Sequence, residues 1–385
     1  MANKTIPQDH EGRASQAIRN NGSGNSVAMQ YVSGLILTEA GFRPGHLGFE
    51  DGRVKTVREG PCDDPLVSGY ILPTFVNAHT HLADFRVPVD LSLDLEQVVA
   101  PPHGLKHRYL SQAPPEEIAR SFNLLSRKMI KNGISRFIDF REGGVDGARL
   151  LAGVKRGGAT PSIMGRPKAP VFDREEVEGI LQVADGIGVS SMLDWPYEEL
   201  RAVAELTRSR GKRFALHCSE RVREDIDLVL DLRPSFLVHM VEATSEDLEL
   251  CKGANVPIVV CPRSNMFFGK LPPLAKMVRC GVDLALGTDN AMTALPDMVT
   301  EMEFAGRVLR SQGVQRMDPV LDMAFRGGRL ILNEMHNIGM TPGSPCDFMV
   351  VRSMQGDPVT DLVLRSGERD VRLVCVGKNT WRGWR

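Results

Sequence analysis

Residues 71–81 decide which fold the sequence predicts, and they read ILPTFVNAHTH. Residues 71–77 form an apolar run typical of a buried β-strand, and two histidines, His79 and His81, follow it directly. A doubly wound open sheet, the main alternative fold, usually carries a glycine-rich phosphate loop after its first strand. Because histidines stand in that place instead, the stretch favours a barrel with polar groups at the ends of its strands.

Seven more short apolar runs follow and alternate with helical stretches. They lie at 134–140, 161–165, 188–194, 213–218, 236–240, 257–262 and 283–289. Between them, start and stop signals predict helices such as Pro114 to Gly133 and Tyr197 to Gly211. Runs this short and apolar are typical of parallel strands buried on both faces. The chain therefore predicts an α/β fold, with a (β/α)₈ TIM barrel over residues 71–337.

The two ends of the chain have a sequence pattern that differs from that of the predicted barrel. In both ends, turn residues separate short apolar runs. Residues 27–70 contain the hairpin signal Asp51-Gly52, and residues 338–385 repeat the same pattern of runs. We expect both ends to build one small β-sandwich beside the barrel. Residues 1–26 are polar and rich in Asn, Gly and Ser, which predicts a flexible tail.

Composition limits the classes of partner. Hydrophobic residues make up 42%, charged residues 25%, and the formal net charge is -1, which gives no pull toward nucleic acid. No apolar run approaches the roughly 18 residues of a membrane span. Seven cysteines without a CxxC pair predict reduced thiols and a cytoplasmic protein. A small heterocyclic molecule is the partner we expect, and the sequence leaves a homo-oligomer open.

Polar residues close several of the predicted strands. His79 and His81 follow the first strand, His217 and His239 close the fifth and sixth, and Asp289 closes the eighth. Carboxyl ends of barrel strands converge on one face, and alternate residues of an extended segment point the same way. Imidazole and carboxylate suit Zn²⁺ first and Fe²⁺ second. We therefore predict one divalent metal ion on His79, His81, His217 and Asp289. The alternative for each single histidine is an ordinary hydrogen-bonded residue.

The order of these residues resembles the amidohydrolase superfamily. That superfamily has HxH after strand one, histidines after strands five and six, and an aspartate after strand eight. The segment from Gly343 to Phe348 is similar to the entry of its terminal β-sandwich. The resemblance implies one metal, because binuclear members carry a bridging lysine in strand four. None stands between Lys168 and Lys212, unless 161–165 is strand four and Lys168 serves.

Two further motifs resemble the mononuclear cytosine, guanine and chlorotriazine deaminase branch. His217-Cys218-Ser219-Glu220 matches its HxxE, and Cys261-Pro262-Arg263-Ser264-Asn265 is similar to its CPxSN. The likeness implies Glu220, His239 and Asp289 as catalytic residues. The alternative for Glu220 is a helix-start glutamate favoured by the macrodipole.

Substrate contacts are predicted at three positions. Arg263 and Asn265 could hydrogen-bond a polar ring, although the same segment is also compatible with an ordinary turn. His103 lies in the long segment 98–110 after the first strand, which could cover the site. For Glu301 and Glu303, in the helix after strand eight, we expect a solvated helix face.

The function we expect is hydrolytic deamination of an amino-substituted heterocycle, such as a nucleobase, a nucleoside or a related ring. A metal-bound hydroxide would attack, and ammonia would leave. The alternatives are hydrolysis of a cyclic amide or lactam, as in imidazolonepropionase- or dihydroorotase-like members, and a metal-binding scaffold without catalysis. No Walker loop, GxSxG elbow or dinucleotide fingerprint occurs. Cys261 is a conceivable thiol nucleophile, but no motif pairs it with a base.

Overall fold

The computed structural model describes residues 28–154, 157–335 and 340–383, and the tail predicted for residues 1–26 lies outside them. Its strands are β1 (Gln30–Thr38), β2 (Gly41–Glu50), β3 (Arg53–Glu59), β4 (Ser68–Pro73), β5 (Phe75–His81), β6 (Ile134–Arg141), β7 (Thr160–Gly165), β8 (Gly186–Val189), β9 (Arg213–Cys218), β10 (Phe236–His239), β11 (Ile258–Val260), β12 (Leu284–Leu286), β13 (Asp289–Asn290), β14 (Asp347–Val351), β15 (Val371–Val376) and β16 (Asn379–Arg382).

Helices lie between most consecutive strands from β5 onward. They are α1 (Leu95–Val99), α2 (Leu105–Gln112), α3 (Pro115–Lys131), α4 (Gly144–Ala152), α5 (Arg174–Leu181), α6 (Tyr197–Ser209), α7 (Ile226–Asp231), α8 (Ser245–Gly253), α9 (Pro262–Phe267), α10 (Leu274–Cys280), α11 (Met298–Ser311), α12 (Asp318–Asp322), α13 (Gly328–Leu332) and α14 (Pro358–Arg365). No helix of the described ranges is long and apolar enough to cross a membrane.

The central sheet is parallel and curls back on itself. Its strand order is β12-β11-β10-β9-β8-β7-β6-β5-β13. Only Gly287 and Thr288 separate β12, which pairs with β11, from β13, which pairs with β5. The two pieces therefore fill one strand position and join the two edges. This is a TIM-like α/β fold of eight strand positions, as the alternating pattern predicts.

The helices cover the outside of this sheet with one apolar face each. In α3 the buried residues include Ile118, Phe122, Leu125 and Met129, which follow the three- and four-residue spacing of one helix face. A second cluster fills the interior with side chains that alternate along the strands: Val76, Ala78, Ile138, Phe140, Met164, Ala215, Phe236, Val238, Val259, Cys261 and Ala285, closed by Ile331 and Leu332. The interior of the barrel is therefore packed with apolar side chains, and the carboxyl ends of the strands lie above this packed layer.

The strand predicted over residues 71–77 is wrong, because the run belongs to two strands in two sheets. Residues up to Pro73 are β4, whereas β5 begins at Phe75. At Thr74 the backbone N–H still donates to Asp347 O, and the next N–H already donates to Gly133 O. Both strands are almost wholly buried, so the apolar run shows no break. Six of the other seven predicted runs overlap one barrel strand each, and the run 283–289 covers β12 and the first residue of β13. Residues 192–194 form a short 3₁₀ turn.

Both chain ends contribute to one further sheet. Its order is β16-β15-β14-β4-β1-β2-β3, so the C-terminal strand β14 lies beside the N-terminal strand β4. The β1–β4 pair is parallel, and the other neighbours are antiparallel. The shared sheet agrees with the expectation that the two ends fold together, whereas the two layers of a β-sandwich stay a prediction.

Candidate metal centre

Four of the predicted ligands meet at the carboxyl end of the barrel. His79 and His81 stand on β5, His217 on β9 and Asp289 on β13. Each offers one ligand atom, and these four atoms all lie within 4.8 Å of one another. The convergence of strand ends thus joins residues that are more than 200 positions apart in the sequence, as predicted.

The hydrogen bonds of two histidines fix where their protons are. His81 Nδ1 lies 3.0 Å from Phe140 O, and His217 Nδ1 lies 2.8 Å from Val189 O. Carbonyl oxygens only accept, so each Nδ1 holds the proton and each Nε2 presents a lone pair. The two Nε2 atoms are 3.3 Å apart. Burial, together with the neighbouring His79, holds the pKa of His217 well below its usual range. Two lone pairs facing each other at this distance fit a cation between them.

The other two donors are also short of partners. His79 Nε2 and Asp289 Oδ1 are 3.2 Å apart, yet within the described chain neither buried atom makes a hydrogen bond. Burial lowers the pKa of His79 to about 3, so its ring is neutral. Asp289 Oδ2 is occupied, because Ser264 Oγ donates to it at 2.5 Å and Asn290 Nδ2 at 2.9 Å. The free Oδ1 therefore faces the histidines.

This donor set passes a chemical test for a metal. Three imidazoles and one carboxylate are ligands that Zn²⁺ and Fe²⁺ accept, and buried polar atoms without a partner are rare unless something binds them. Asp289 adopts a left-handed backbone with φ 59°, a strained geometry that concentrates at functional sites. Although burial would raise the pKa of Asp289, the neighbouring imidazoles, with His79 at 3.2 Å, hold it well below its usual range.

His239 closes β10 beside this group but with the opposite tautomer. Asn265 Nδ2 lies 3.2 Å from His239 Nδ1, and an amide N–H can only donate. With Nδ1 as acceptor, Nε2 holds the proton and lies 3.4 Å from Glu220 Oε1. The backbone of His239 is also left-handed, with φ 79°. His239 can therefore offer an N–H next to the metal donors. It does not offer the lone pair that coordination of a metal ion would need.

Glu220 lies in the loop after β9 and reaches the same point. Its carboxylate forms a second cluster with His239 and Asp289, and Asn265 Nδ2 lies 3.4 Å from Glu220 Oε1. Burial raises the pKa of Glu220, which favours its protonated form. The alternative of a helix-start glutamate is wrong, because α7 begins only at Ile226.

None of the three predicted substrate contacts lines the cavity, although the buried Asn265 contacts Glu220 and His239. Arg263 Nε donates to Glu301 Oε2 at 2.6 Å, and neither this arginine nor His103 lines the cavity at the metal donors. Glu301 is fully buried, so the solvated helix face expected for it is wrong. Glu303 instead pairs with Arg307 at the surface. His103 is exposed in the segment between α1 and α2.

Lys168 does not reach the metal donors. The segment 161–165 belongs to β7, the third strand position counted from β5, so the alternative strand assignment is wrong. The Lys168 side chain is 61% exposed and lies 3.6 Å from Asp146. Cys261 is buried, and burial raises the pKa of its thiol well above the usual range, so it is a core residue. All seven cysteines are free.

A cavity of about 660 Å³, including its open mouth, leads from solvent to the metal donors. Helices α1 and α2 and the residues between them, 95–112, form its cover, and we call this stretch the cover segment. It lines the cavity with Val99, Ala100, Pro101 and Lys106. The expectation that segment 98–110 lies over the site agrees with this position.

Three buried charged residues near the cavity were not among the predicted site residues, although Lys106 lies in the segment 98–110 expected over the site. Lys106 and Arg166 line it, and Glu142 lies against His81. Glu142 and Arg166 directly follow the ends of β6 and β7. Glu142 and Arg166 therefore stand at strand ends like the histidines, and the same reasoning from strand ends indicates them as candidate site residues.

Comparisons with known proteins agree with this geometry. Residues 70–378 match the amidohydrolase family. A candidate aminohydrolase of Methanothermobacter thermautotrophicus is 32% identical, with 86% of this chain and 93% of that protein aligned. A 5-methylthioadenosine/S-adenosylhomocysteine deaminase of Pelotomaculum thermopropionicum is 26% identical, with 92% and 86% aligned.

Solved structures share the fold. A zinc-bound adenosine deaminase from Xanthomonas campestris superimposes with a TM-score of 0.74 over 92% of this chain and 93% of its own. At 17% sequence identity, this likeness shows the common architecture alone.

Proposed function

Because this chain belongs to the amidohydrolase family and is a hydrolase of C–N bonds, we propose that it deaminates an amino-substituted heterocycle. One observation carries the proposal. The Glu220 carboxyl lies 3.4 Å from the Nε2 of His239 and beside Asp289, at the head of the cavity. A ring hydrolysis that releases ammonia needs a proton donor at this point, and a buried carboxyl of raised pKa supplies one.

His79, His81, His217 and Asp289 would hold one divalent ion, Zn²⁺ in the first place and Fe²⁺ in the second. Such an ion lowers the pKa of a water molecule toward neutrality, so that hydroxide is available as the nucleophile. The four donors leave room on the cavity side, where Glu220 and His239 stand.

The residues of the chain then manage the protons. Asp289 takes a proton from the attacking water as its oxygen bonds to the ring carbon. Glu220 gives its proton to the adjacent ring nitrogen, while the Nε2–H of His239 steadies the new oxygen. Asp289 returns its proton to the amino group, the C–N bond breaks and ammonia leaves. The Glu220 carboxylate recovers a proton from the hydroxyl as the ring carbonyl forms, so water is consumed and ammonia released one for one.

The comparisons support an aminated ring as the substrate class. The relative from Pelotomaculum thermopropionicum is named for the deamination of two adenine nucleosides. The cavity opens to solvent and is lined by both apolar residues and polar groups, among them Glu220, Arg166 and Asn290, which suits a polar ring. We therefore place nucleobases, nucleosides and related rings first.

An ammonia-release screen over purines, pyrimidines, nucleosides and triazines with zinc-loaded protein tests the proposal. For any ring that is turned over, we expect Glu220→Gln to keep its zinc and lose at least about 100-fold in rate, the scale of general acid–base catalysis. Glu303→Gln, on the surface of α11, serves as the matched control and should react like the wild type. Full activity of Glu220→Gln, or opening of cyclic amides without ammonia, would overturn the deaminase assignment.

A further inference from the structure

Lys106, in helix α2 of the cover segment, is almost completely buried. Its side chain is only 2% exposed, which is rare for a lysine unless charged or polar partners surround it. Its Nζ lies 2.7 Å from Glu142 Oε1, 3.2 Å from Asn290 Oδ1 and 3.8 Å from Asp84 Oδ2. One ammonium therefore ties the cover segment to the end of β6 and to β13.

Both close partners of Lys106 also touch a metal donor. Glu142 Oε1, the atom that faces the ammonium, lies 3.0 Å from His81 Nδ1. Asn290 offers its oxygen to Lys106 and its Nδ2 to Asp289 Oδ2, at 2.9 Å. Because His81 Nε2 and Asp289 Oδ1 are 3.6 Å apart, the contacts close into a ring that passes through the metal site.

We propose that Lys106 is a positioning residue, through which the cover segment sets the orientation of the two metal ligands His81 and Asp289. The proposal rests on the metal centre of the proposed function, but it concerns the binding of the metal rather than the reaction. Loss of a group that contacts a metal ligand, but not the metal itself, commonly lowers metal affinity by about 10–100-fold.

The charges around His81 explain how the effect is transmitted. Without the ammonium, the nearest remaining cation to Glu142 is Arg141, whose Nη1 lies 3.4 Å from the other oxygen, Oε2. The Oε1 atom would then lose its closest cation and compete with Phe140 O for the single Nδ1–H of His81. On the other side, the Asn290 amide would lose the contact that keeps its Nδ2 turned toward Asp289. The first change lets the His81 ring move, and the second lets the Asp289 carboxylate move, so both weaken the binding of the metal.

Zinc affinity, measured by competition with a chelating dye, tests the proposal without any substrate. We expect Lys106→Met to bind zinc about 10-fold more weakly than the wild type. Arg108→Met, two positions along the same helix and exposed, is the matched control and should not change the affinity. Unchanged affinity of Lys106→Met would overturn the proposal.

A double variant separates transmission through Glu142 from a general loss of structure. In Lys106→Met combined with Glu142→Gln, no carboxylate charge faces His81. We therefore expect the double variant to bind zinc more tightly than either single variant. Affinity losses that simply multiply would contradict the proposed route, because independent structural damage behaves in that way.

Hydrogen exchange of the cover segment provides a second readout. Coupling between two sites is reciprocal, so zinc should slow amide exchange in α1 and α2 of the wild type. We expect this protection to be lost in Lys106→Met and kept in Arg108→Met. Equal protection in both would overturn the proposal, whereas failure to release ammonia from any ring would affect only the proposed reaction.

Discussion

At the scale of single residues, hydrogen-bond partners decide what each histidine at the site can do. His81 and His217 donate through Nδ1 to backbone carbonyls, which leaves both Nε2 lone pairs free. His239 accepts from the Asn265 amide, which leaves its Nε2–H to face Glu220 Oε1 at 3.4 Å. The proposed ligands His81 and His217 therefore differ from His239 in one hydrogen-bond partner, which is a backbone carbonyl for the ligands and a side-chain amide for His239.

Substitution of His217 tests the ligand assignment. His217→Ala removes one of the four donors, so we expect zinc to dialyse away and turnover to fall to background. Metal analysis after dialysis, beside the wild type, measures the first effect directly. His46→Ala, in a strand of the terminal sheet, is a control for general damage and should keep one zinc per chain. A stoichiometric metal in His217→Ala would show that this ring is not a ligand.

Substitution of Asn265 tests the proton handlers instead. Its Nδ2 lies between Glu220 Oε1 and His239 Nδ1, so Asn265→Leu should disorder both groups. Zinc content should stay at the wild-type level, while kcat falls by about 10–100-fold, as for other supporting groups of a site. Parallel metal analysis and steady-state kinetics measure the two quantities. Loss of zinc with unchanged kcat per bound metal would contradict the assigned role.

Much of this residue-scale picture follows from strand ends. The carboxyl ends of barrel strands meet on one face. For this reason the sequence could predict that four side chains come together, namely His79, His217, His239 and Asp289. Arg263 could not be placed in this way, since the direction of a side chain depends on its neighbours. The buried Glu301 on α11 pairs with it and turns it away from the cavity.

At the scale of elements, the junction of β12 and β13 brings Asp289 to the histidines. Gly287 N donates to Val260 O on one side, and Thr288 N to His79 O on the other. The strand thus changes partner within two residues, which closes the sheet. The length of the run 283–289 predicted one strand, but the pairing of its two pieces depends on contacts with β5 and β11 that are distant in sequence.

Gly287 should be indispensable at this junction. A Cβ there would lie 2.7 Å from His79 Cβ and 2.9 Å from His79 N, closer than side chains tolerate. We expect Gly287→Ala to lower the free energy of unfolding by about 1–3 kcal/mol, the usual cost of overpacking, and to weaken zinc binding. Denaturant titration with and without zinc checks both. Gly253→Ala, with nothing within 4 Å, is the control, and equal stability of the two variants would contradict the close approach.

At the scale of the whole molecule, a buried arginine joins the barrel to the terminal sheet. Arg329 on α13 is fully buried; its Nη1 donates to Thr74 O at 2.7 Å and its Nη2 to Asp347 Oδ2 at 2.9 Å. Thr74 lies between β4 and β5, and Asp347 begins β14. The three residues therefore sit where the chain enters the barrel and where it returns to the sheet. The sequence marked Asp347 by resemblance alone, because its partner could not be recognised before the fold was known.

Removal of the Asp347 charge should weaken this joint strongly. Asp347→Asn leaves the Arg329 guanidinium buried without its counter-ion, and breaking a buried pair on one side costs about 3–5 kcal/mol. We expect the midpoint of denaturant unfolding to fall accordingly, followed by circular dichroism. Asp318→Asn, whose partner Arg316 is 82% exposed, should change stability by no more than about 1 kcal/mol. Because a buried pair can often be replaced by apolar groups, Arg329→Met combined with Asp347→Leu should recover part of the loss. An Asp347→Asn midpoint equal to that of Asp318→Asn would show that the barrel and the sheet do not depend on this charge.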